Sequence, residues 1–465
     1  MRWAASLAAA LAVATPAFAA PAKVATTSGV LVGEAGADMV VFRGVPYAAP
    51  PVGDLRWAPP QAMRWSDERA ATAFAPPCLQ PTPADGRPNG GGVSGASSED
   101  CLYLNIWAPK AGKRAPVMVW LYGGGGTMGG GHLSSYRGDA FARDGVVLVT
   151  INYRLGSLGG FAHPALTASG DGFGNYHLLD ALAAVRWVKA NAAAFGGDAD
   201  NITVFGESAG ATMVANLLTS PMAKGLFAKA IIQSTGSLPT PATPLAVAEA
   251  KGAEVATALG LPGPAATVAQ LRALPAERII LDRRTGFGHR TILDGRVKTR
   301  SIMDAFADGS SLDVPTMIGT NSDEGRLNGT QRVATYAMGG APVWQYFFDY
   351  VPEWRRAEQP NGVPHAGEIP YVFETLASDR SGGSRMTDRD RAVASRVHSC
   401  WVAFAKAVRG VRLLSCAEGF SWPARSDANR KAVAIFEERP RLGEAETLRS
   451  PPNGAAPGPT SRESE

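Results

Sequence analysis

A five-residue segment between a strand-like and a helix-like run restricts the fold of this chain more than any other feature. Gly206-Glu207-Ser208-Ala209-Gly210 follows the β-branched and aromatic run 201–205 and precedes the apolar run 211–218. Glycines near Ser208 remove side chains where a strand and a helix cross closely. The pattern predicts a strand, a sharp turn and a helix, with the hydroxyl of Ser208 presented as a nucleophile.

Short apolar runs without period-two alternation recur along the chain, which is typical of strands that are covered on both faces. These predicted strands are residues 117–121, 146–152, 202–205, 228–233, 314–319, 343–348 and 432–436. Helical patterns lie between them, at residues 178–194, 244–259 and 391–408. The alternation predicts an α/β fold with a large, mostly parallel central sheet and helices on both faces.

The sequence patterns at both ends of the chain predict segments that lie outside the folded domain. Arg2 and the apolar run 3–13 precede Ala17-Phe18-Ala19, the pattern of a secretory signal peptide cleaved after Ala19. Residues 450–465 contain Pro, Gly and Ser with almost no apolar anchor, which predicts disorder. We therefore expect a single domain over residues 20–449, periplasmic or secreted, without a stable membrane anchor after cleavage.

Charge and motif content argue against several classes of function. The net charge is only +4 over 465 residues and the basic residues are scattered, so no nucleic-acid partner is expected. The four cysteines lack the CxxC spacing of zinc sites, and no histidine cluster accompanies them. The glycine-rich segment 123–126 is not followed by the Lys-Ser or Lys-Thr of a phosphate-binding loop. No metal or organic cofactor is expected.

The cysteines fit an exported protein, because disulfides persist in oxidising compartments. Cys78 and Cys101 are 23 positions apart, and Cys400 and Cys416 are 16 apart. We expect the first two to form a disulfide and consider one possible for the second two. Unpaired buried thiols are the alternative for both pairs.

A serine nucleophile needs a base and an orienting acid, which follow the serine along the chain in folds built on this turn. His365 lies in a loop after a predicted strand, where such sheets present functional groups, whereas His289 is placed by no such pattern. His398 lies inside the predicted helix 391–408 and is expected to be a partly exposed helix residue. Asp323 and Glu324 both follow the predicted strand 314–319, and the residues alone do not separate them as the acid.

The tetrahedral oxyanion of acyl transfer needs backbone N–H donors that no side chain obstructs. The predicted strand 117–121 ends in Tyr122-Gly123-Gly124-Gly125-Gly126, upstream of the serine. This segment is similar to the glycine-rich loop of esterases, and it predicts an oxyanion hole.

Ordered motifs through most of the mature sequence resemble the type-B carboxylesterase family, which includes cholinesterases and bacterial para-nitrobenzyl esterases. Glu99-Asp100-Cys101-Leu102-Tyr103-Leu104-Asn105 looks like the second signature of that family. The other similar segments are residues 42–48, 51–57, 152–154, 174–176, 195–198 and 205–210. The resemblance implies an α/β-hydrolase fold and the hydrolysis of carboxylic esters.

The resemblance also implies roles for individual residues. It implies Ser208 as the nucleophile, His365 as the base and Glu324 rather than Asp323 as the acid. The backbone N–H groups of Gly124, Gly125 and Ala209 would form the oxyanion hole.

Further residues resemble structural features of the family. Cys78 and Cys101 look like its first disulfide, and its ion pairs are similar to Arg56 with Glu99 and Arg154 with Asp180. Glu207 and Ser234 resemble a polar pair behind the active site that would support the histidine and ordered water.

Two departures from the family pattern predict a changed pocket. Gly126 stands where family members usually carry an aromatic residue, which predicts a wider and more mobile entrance and acyl pocket. The span from Glu324 to His365 is only 41 positions, so part of the lid that roofs the site is expected to be missing. A short helix over residues 332–338 would still close the crossover between two parallel strands. A strained or damaged site is the alternative.

The sequence therefore predicts an exported serine esterase that acts on a small-molecule ester through an acyl-enzyme intermediate. A catalytically impaired binding protein on the same fold is one alternative, supported only by the shortened lid. Amidase or thioesterase activity at the same site is the other. The physiological substrate and the oligomeric state are not predicted.

Overall fold

A 13-stranded mixed sheet organises this protein, whose structure is a computed structural model. The structure describes residues 20–170, 172–235, 242–281, 291–324, 327–337, 340–378, 383–444 and 448. Residues 1–19, His289 and residues 450–465 lie outside the described residues. The signal peptide, the disordered tail and the extent of the single domain therefore stay predictions.

Every strand that the apolar runs predict is present, although β8 begins at Gly197 rather than at residue 202. The strands are β1 (Ala20–Thr26), β2 (Gly29–Ala35), β3 (Met39–Pro46), β4 (Arg69–Ala70), β5 (Tyr103–Pro109), β6 (Ala115–Leu121), β7 (Val147–Ile151), β8 (Gly197–Glu207), β9 (Lys229–Gln233), β10 (Thr243–Pro244), β11 (Ile292–Leu293), β12 (Thr316–Asn321), β13 (Val343–Phe348), β14 (Leu413–Cys416), β15 (Phe420–Pro423), β16 (Ala432–Phe436) and β17 (Arg441–Glu444). The main sheet has the order β1-β2-β3-β5-β7-β6-β8-β9-β12-β13-β16-β17, with β4 beside β2.

The centre of the sheet is parallel and its outer strands are antiparallel. From β7 across to β16, each strand pairs with its neighbour in parallel. Antiparallel pairing joins the strands from β1 to β7 on one side and adds β17 on the other. The parallel centre brings the carboxyl ends of β6, β8, β9 and β12 to one edge, which is where such sheets place functional groups.

Helices cover both faces of this sheet, as the strand patterns predict. The helices are α1 (Asp139–Arg143), α2 (Gly156–Gly159), α3 (Pro164–Ser169), α4 (Tyr176–Asn191), α5 (Ala209–Leu218), α6 (Leu245–Ala258), α7 (Val268–Arg272), α8 (Ala276–Leu281), α9 (Ile302–Ala307), α10 (Leu327–Ala337), α11 (Ile369–Val372) and α12 (Asp388–Lys406). Among the described residues, no helix combines the length and the apolar character that crossing a membrane requires.

Phe205 and Gly206 of β8 show which helices cover each face of the sheet, because neighbouring side chains of a strand point to opposite faces. The ring of Phe205 lies 6.1 Å from that of Phe141 in α1 and 5.8 Å from that of Phe373, which directly follows α11. On the other face, a side-chain carbon at Gly206 would lie 2.6 Å from the backbone of Gly210 in α5. The strand that ends at Ser208 is therefore held between α5 and the helices α1 and α11.

Helix α10 makes the crossover between β12 and β13, within the shortened span. It covers Leu327–Ala337, so it begins five residues before the predicted residue 332 and is longer than expected. It packs against both strands that it connects. The short span thus still closes a parallel strand–helix–strand unit.

Both predicted cysteine pairs are disulfides in the structure. Cys78 is bonded to Cys101, and Cys400 in α12 is bonded to Cys416 in β14. The first bond closes a loop that is mostly without helix or strand and that lies against Met128 and Gly129, shortly after the glycine-rich segment 123–126. The second ties the long helix α12 to the small β14–β15 sheet.

The two ion pairs suggested by the resemblance are also present. Arg56 donates to both carboxylate oxygens of Glu99. Arg154, at the end of β7, donates to Asp180 of α4 over 2.8 and 2.7 Å, and both side chains are buried. Such buried pairs fix the position of an element more than they add net stability.

A buried lysine lies at the carboxyl end of α5, the helix that follows Ser208. The side chain of Lys298 has no exposed surface, and its Nζ donates to the carbonyl oxygen of Thr219, 3.3 Å away, and to the Thr219 hydroxyl. A cation there complements the partial negative charge of a helix carboxyl terminus. Burial nevertheless lowers the pKa of Lys298 to about 7, although the charge of Asp294 opposes the shift.

We expect Lys298→Met to flatten the pH dependence of stability in alkaline solution. Between the folded pKa near 7 and the unfolded pKa of about 10.4, the unfolded chain binds the lysine proton and the folded chain does not. The free energy of unfolding of the wild type should therefore rise by about 1.4 kcal/mol per pH unit from this group, and the variant should lose that slope. Urea unfolding at pH 7.5, 8.5 and 9.5 measures it. Lys113→Met, at an exposed lysine, is the control, and equal slopes in all three proteins would contradict the prediction.

Candidate active site

Ser208 lies in the sharp turn between β8 and α5. Its φ of 57° and ψ of −122° are those of the first central residue of a type II′ turn, a position that glycine usually occupies. A side-chain carbon at Gly210 would lie only 2.6 Å from the carbonyl oxygen of Tyr122, so glycine is required where α5 crosses the end of β6. The backbone N–H of Ser208 donates to the carbonyl oxygen of Gln233, 2.9 Å away at the end of β9. Because the turn is held on both sides, it keeps the serine in a strained conformation.

His365 lies beside the carboxyl group of the residue that precedes the serine. Its Nε2 is 3.0 Å from Oε1 of Glu207, and the imidazole is half-exposed. A side-chain carbon at Gly123 would lie 2.6 Å from Oε2 of Glu207 and 2.9 Å from Cβ of Ser208. The Glu207 carboxyl group, the serine and the glycine-rich segment therefore meet around one point, with the imidazole at its rim.

Glu324 is held by hydrogen bonds to both of its carboxylate oxygens. Its Oε2 accepts from the hydroxyls of Ser234 and Thr320, at 2.6 and 2.7 Å, and from the backbone N–H of Asn321, at 2.9 Å. Its Oε1 pairs with Nδ1 of His365. Burial raises the pKa of Glu324, but the hydrogen bond and charge of His365 and the two hydroxyls outweigh it and lower the pKa to about 2. The carboxylate is therefore ionised and fixed in orientation at neutral pH.

The carboxyl groups around His365 favour its protonated form. Burial lowers the pKa of the imidazole, but the hydrogen bond to Glu324 and the charges of Glu207, Glu324 and Glu368 raise it to about 9. Burial in turn raises the pKa of Glu207 well above its ordinary value, with His365 opposing the shift. Glu324, which is ionised at neutral pH, therefore stabilises the imidazolium ion, and Glu207 adds to this once it is ionised.

The segment after β6 forms a closed turn of the kind that an oxyanion hole needs. The carbonyl oxygen of Gly124 accepts from the backbone N–H groups of Thr127 and Met128, both at 3.2 Å, and Gly124 and Gly125 have positive φ. Ala209 is the first residue of α5, where helix N–H groups lack partners within the helix. Gly126 is buried, and its carbonyl oxygen accepts from the N–H of Gly156 at 2.8 Å. The wider pocket that Gly126 suggests stays a prediction.

Known proteins similar to this chain include several esterases. The carboxylesterase family is matched by residues 20–338 and 327–443. The fumonisin B1 esterase of Sphingopyxis macrogoltabida is 37% identical over 458 residues, which cover 83% of this chain and 82% of that protein. The para-nitrobenzyl esterase of Bacillus subtilis strain 168 is 32% identical over 85% of this chain and 91% of its own.

The chain belongs to the carboxylesterase family. A solved structure of a thermophilic PNB esterase superposes with a TM-score of 0.81 at 29% identity, covering 91% of this chain and 98% of that one. The resemblance predicted from the motifs and the α/β-hydrolase fold are both confirmed. As a member of this family, the protein is a carboxylesterase that acts on small-molecule esters. The family match consists of two segments that overlap at residues 327–338, between Glu324 and His365.

In this carboxylesterase, Glu207 and Ser234, the polar pair that the resemblance suggested, both lie at the site. Glu207 meets the imidazole of His365, whereas Ser234 donates to Glu324. Ser234 adopts a φ of 53° directly after β9, which turns its hydroxyl toward the acid. The two residues therefore support different members of the site.

Two buried amides and a buried carboxyl group were missed by the sequence reasoning. Glu368 is fully buried and accepts from Nε2 of Gln233, at 3.0 Å, and from Nδ2 of Asn321, at 2.6 Å. The same Nδ2 of Asn321 donates to the carbonyl oxygen of Pro364, 2.9 Å away and one residue before His365. These contacts tie the histidine loop to the ends of β9 and β12. For Gln233 and Asn321, the available signal was a polar residue at the carboxyl end of a buried strand.

The expectation that His398 is a partly exposed residue is wrong. Its side chain is 1% exposed within α12, with Nδ1 2.7 Å from the carbonyl oxygen of Val372 and Nε2 3.2 Å from Asp144. Its ring also packs against Phe141 at 4.5 Å. These partners belong to α1 and α11, so the helix pattern of α12 alone did not show which of its faces is covered.

The residues that the structure describes contain no candidate metal site. There, His, Cys, Asp and Glu side chains nowhere form a group of three or more that could hold a metal ion.

Proposed function

We propose that this carboxylesterase cleaves its substrate with the triad Ser208, His365 and Glu324, through a covalent acyl-enzyme intermediate. The observation that carries the proposal is the hydrogen bonding of Glu324. Three donors bind one of its carboxylate oxygens, and the other oxygen pairs with Nδ1 of His365. This arrangement orients an imidazole whose Nε2 side faces Glu207, the neighbour of Ser208 in the chain. A histidine that an acid orients through Nδ1 is what a serine nucleophile requires.

The proposed reaction follows from these positions. His365 takes the proton of Ser208 while the serine oxygen attacks the ester carbonyl carbon, and Glu324 stabilises the imidazolium that forms. The backbone N–H groups of Gly124, Gly125 and Ala209 hold the oxyanion. The carbon–oxygen bond to the alcohol then breaks as His365 returns the proton to it. Water, activated in the same way, releases the acid from Ser208.

Burst kinetics and covalent labelling of the wild-type protein test this proposal. We expect a burst of para-nitrophenol of about one equivalent from para-nitrophenyl acetate if deacylation is the slower step, and steady turnover in either case. A fluorophosphonate probe should add one label, and peptide mapping should place it on Ser208. Protein unfolded before labelling is the control. A folded protein with neither turnover nor label would favour the non-catalytic binding protein instead.

The pH dependence of kcat/KM should report His365 at an unusually high pH. The imidazole acts as a base only when it is neutral, and its pKa is about 9, so kcat/KM should rise with pH along a limb centred near pH 9. Glu207→Gln removes one of the charges that raise this pKa. We expect its ascending limb to lie at lower pH by about one unit or more.

Stopped-flow hydrolysis of para-nitrophenyl acetate from pH 5 to 10, corrected for spontaneous hydrolysis, measures both profiles. Glu254→Gln, at an exposed residue far along the chain in α6, should leave the limb in place. A limb centred near pH 6.5 in the wild type, or a shift of the Glu207→Gln limb to higher pH, would contradict the prediction.

A further inference from the structure

The loop closed by the first disulfide contacts the segment that is proposed to hold the oxyanion. Cys78 and Cys101 are the ends of this loop, and Gln80 lies two residues inside it, 3% exposed. Its neighbour across the contact is Gly129, three residues after the glycine-rich segment 123–126. A buried polar side chain at such a contact must find partners for each of its polar atoms.

The side-chain amide of Gln80 makes every hydrogen bond that an amide can make. Its Nε2 donates to the carbonyl oxygens of Gly129, at 2.8 Å, and Cys78, at 2.9 Å. Its Oε1 accepts from the N–H of Gly129, at 2.8 Å, and from Nδ2 of Asn89, at 2.9 Å. The amide thus pairs with both backbone groups of Gly129, as a neighbouring strand would.

Gly129 is joined to the proposed oxyanion donors by a closed turn. The N–H of Met128, the preceding residue, donates to the carbonyl oxygen of Gly124 at 3.2 Å, as does that of Thr127. Fixing Gly129 therefore fixes the end of the turn whose beginning is Gly124 and Gly125. Donors of an oxyanion hole must be held in place before the reaction, because reorganisation costs catalysis.

The same loop also packs against this turn through apolar contact. A side-chain carbon at Gly91 would lie 2.8 Å from Cγ of Met128 and 2.7 Å from the backbone nitrogen of Gly129. The Met128 side chain would also lie within 3.1 Å of a side-chain carbon at Gly124. Met128, which is half-buried, therefore lies between the disulfide loop and the turn. Asn89, which donates to Gln80, also accepts from the N–H of Gly91 at 3.0 Å.

We infer that Gln80 is a positioning residue for the oxyanion hole, holding the turn from Gly124 to Gly129 against the disulfide loop. The inference rests on the proposed function, since it assigns Gln80 to the hole that the triad would use. Gln80 acts through Gly129 and touches neither substrate nor triad. Its loss should weaken binding of the transition state and leave binding of the ester in its ground state nearly unchanged.

Two variants of Gln80 test this role. Gln80→Leu removes the amide, and Gln80→Glu keeps its shape but turns the donor to Gly129 into an acceptor. We expect kcat to fall by about 10- to 100-fold in both with KM within about threefold, somewhat less than the loss of one oxyanion donor. The inhibition constant of a trifluoromethyl ketone, whose serine adduct places an oxyanion in the hole, should rise by the factor by which kcat/KM falls.

A second readout does not depend on turnover. Amide hydrogen exchange of the peptide covering residues 122–131 should be faster in both Gln80 variants than in the wild type, with Gln61→Leu, at an exposed glutamine, as the matched control. A wild type without turnover would overturn the proposed function while the exchange data still decide the role of Gln80. If both Gln80 variants had the same kcat, inhibition constant and hydrogen-exchange rate as the wild type, the inference would be overturned. A loss of activity that matches only the folded fraction would also overturn it.

Discussion

Ser208→Ala is expected to lower kcat for ester hydrolysis by about 10⁴-fold or more, the largest loss of any single change in this protein. The substitution removes the oxygen that forms the acyl bond and leaves the turn unchanged, since alanine and serine share a Cβ. The site then retains only the oxyanion hole and substrate binding. Steady-state kinetics with para-nitrophenyl butyrate measure the effect, and KM should stay within a few-fold.

Because the backbone of Ser208 is strained, Ser208→Gly is a useful second variant to compare with Ser208→Ala. Ser208→Gly should be equally inactive but more stable than Ser208→Ala, because glycine adopts a φ of 57° and a ψ of −122° without steric cost. Thermal unfolding compares the two. Ser66→Ala, at an exposed serine, should keep both activity and stability. Residual turnover in Ser208→Ala above about one per cent would contradict the role of Ser208 as nucleophile.

The central sheet could be predicted from the sequence because its strands are buried on both faces. The run 117–121 in β6 is continuously apolar, and this pattern does not depend on which helices pack on the strand. The start of α12 was less predictable. Its Thr387 N-cap forms a capping box with Asp390, so the helix begins at Asp388, before the residue 391 where the apolar pattern starts. The beginning of α10 was also missed, because its first turn carries little apolar pattern.

The order of the site residues along the chain could be predicted from the sequence, whereas the contacts between them could not. The turn around Ser208 is a local pattern, and the residues after β12 narrowed the acid to Asp323 or Glu324. The burial of His398 depends on α1 and α11, and the contact of Ser234 with Glu324 joins the ends of β9 and β12. Such pairings are set by strand order, which one sequence does not contain. Only family resemblance favoured Glu324 over Asp323.

Glu324→Gln therefore tests a choice that the residues alone left open, and we expect it to lower kcat by about 10³- to 10⁴-fold. The position of Oε2 decides the outcome, because it accepts from Ser234, Thr320 and the N–H of Asn321. An amide can satisfy these three donors only with its oxygen, so its NH₂ group must face Nδ1 of His365. That nitrogen then becomes an acceptor, the proton moves to Nε2, and the imidazole can no longer take the serine proton.

Steady-state kinetics of Glu324→Gln beside Asp323→Asn and Glu324→Asp separate this account from a simple loss of charge. Asp323 makes its backbone contact to Val363 through its N–H, which Asp323→Asn keeps, so kcat should stay within about threefold. Glu324→Asp retains an acceptor for Nδ1 on a shorter side chain and should lose far less activity than the amide. Equal losses in Glu324→Gln and Glu324→Asp would show that the tautomer is not set by this carboxylate. A large loss in Asp323→Asn alone would make Asp323 the acid of the triad.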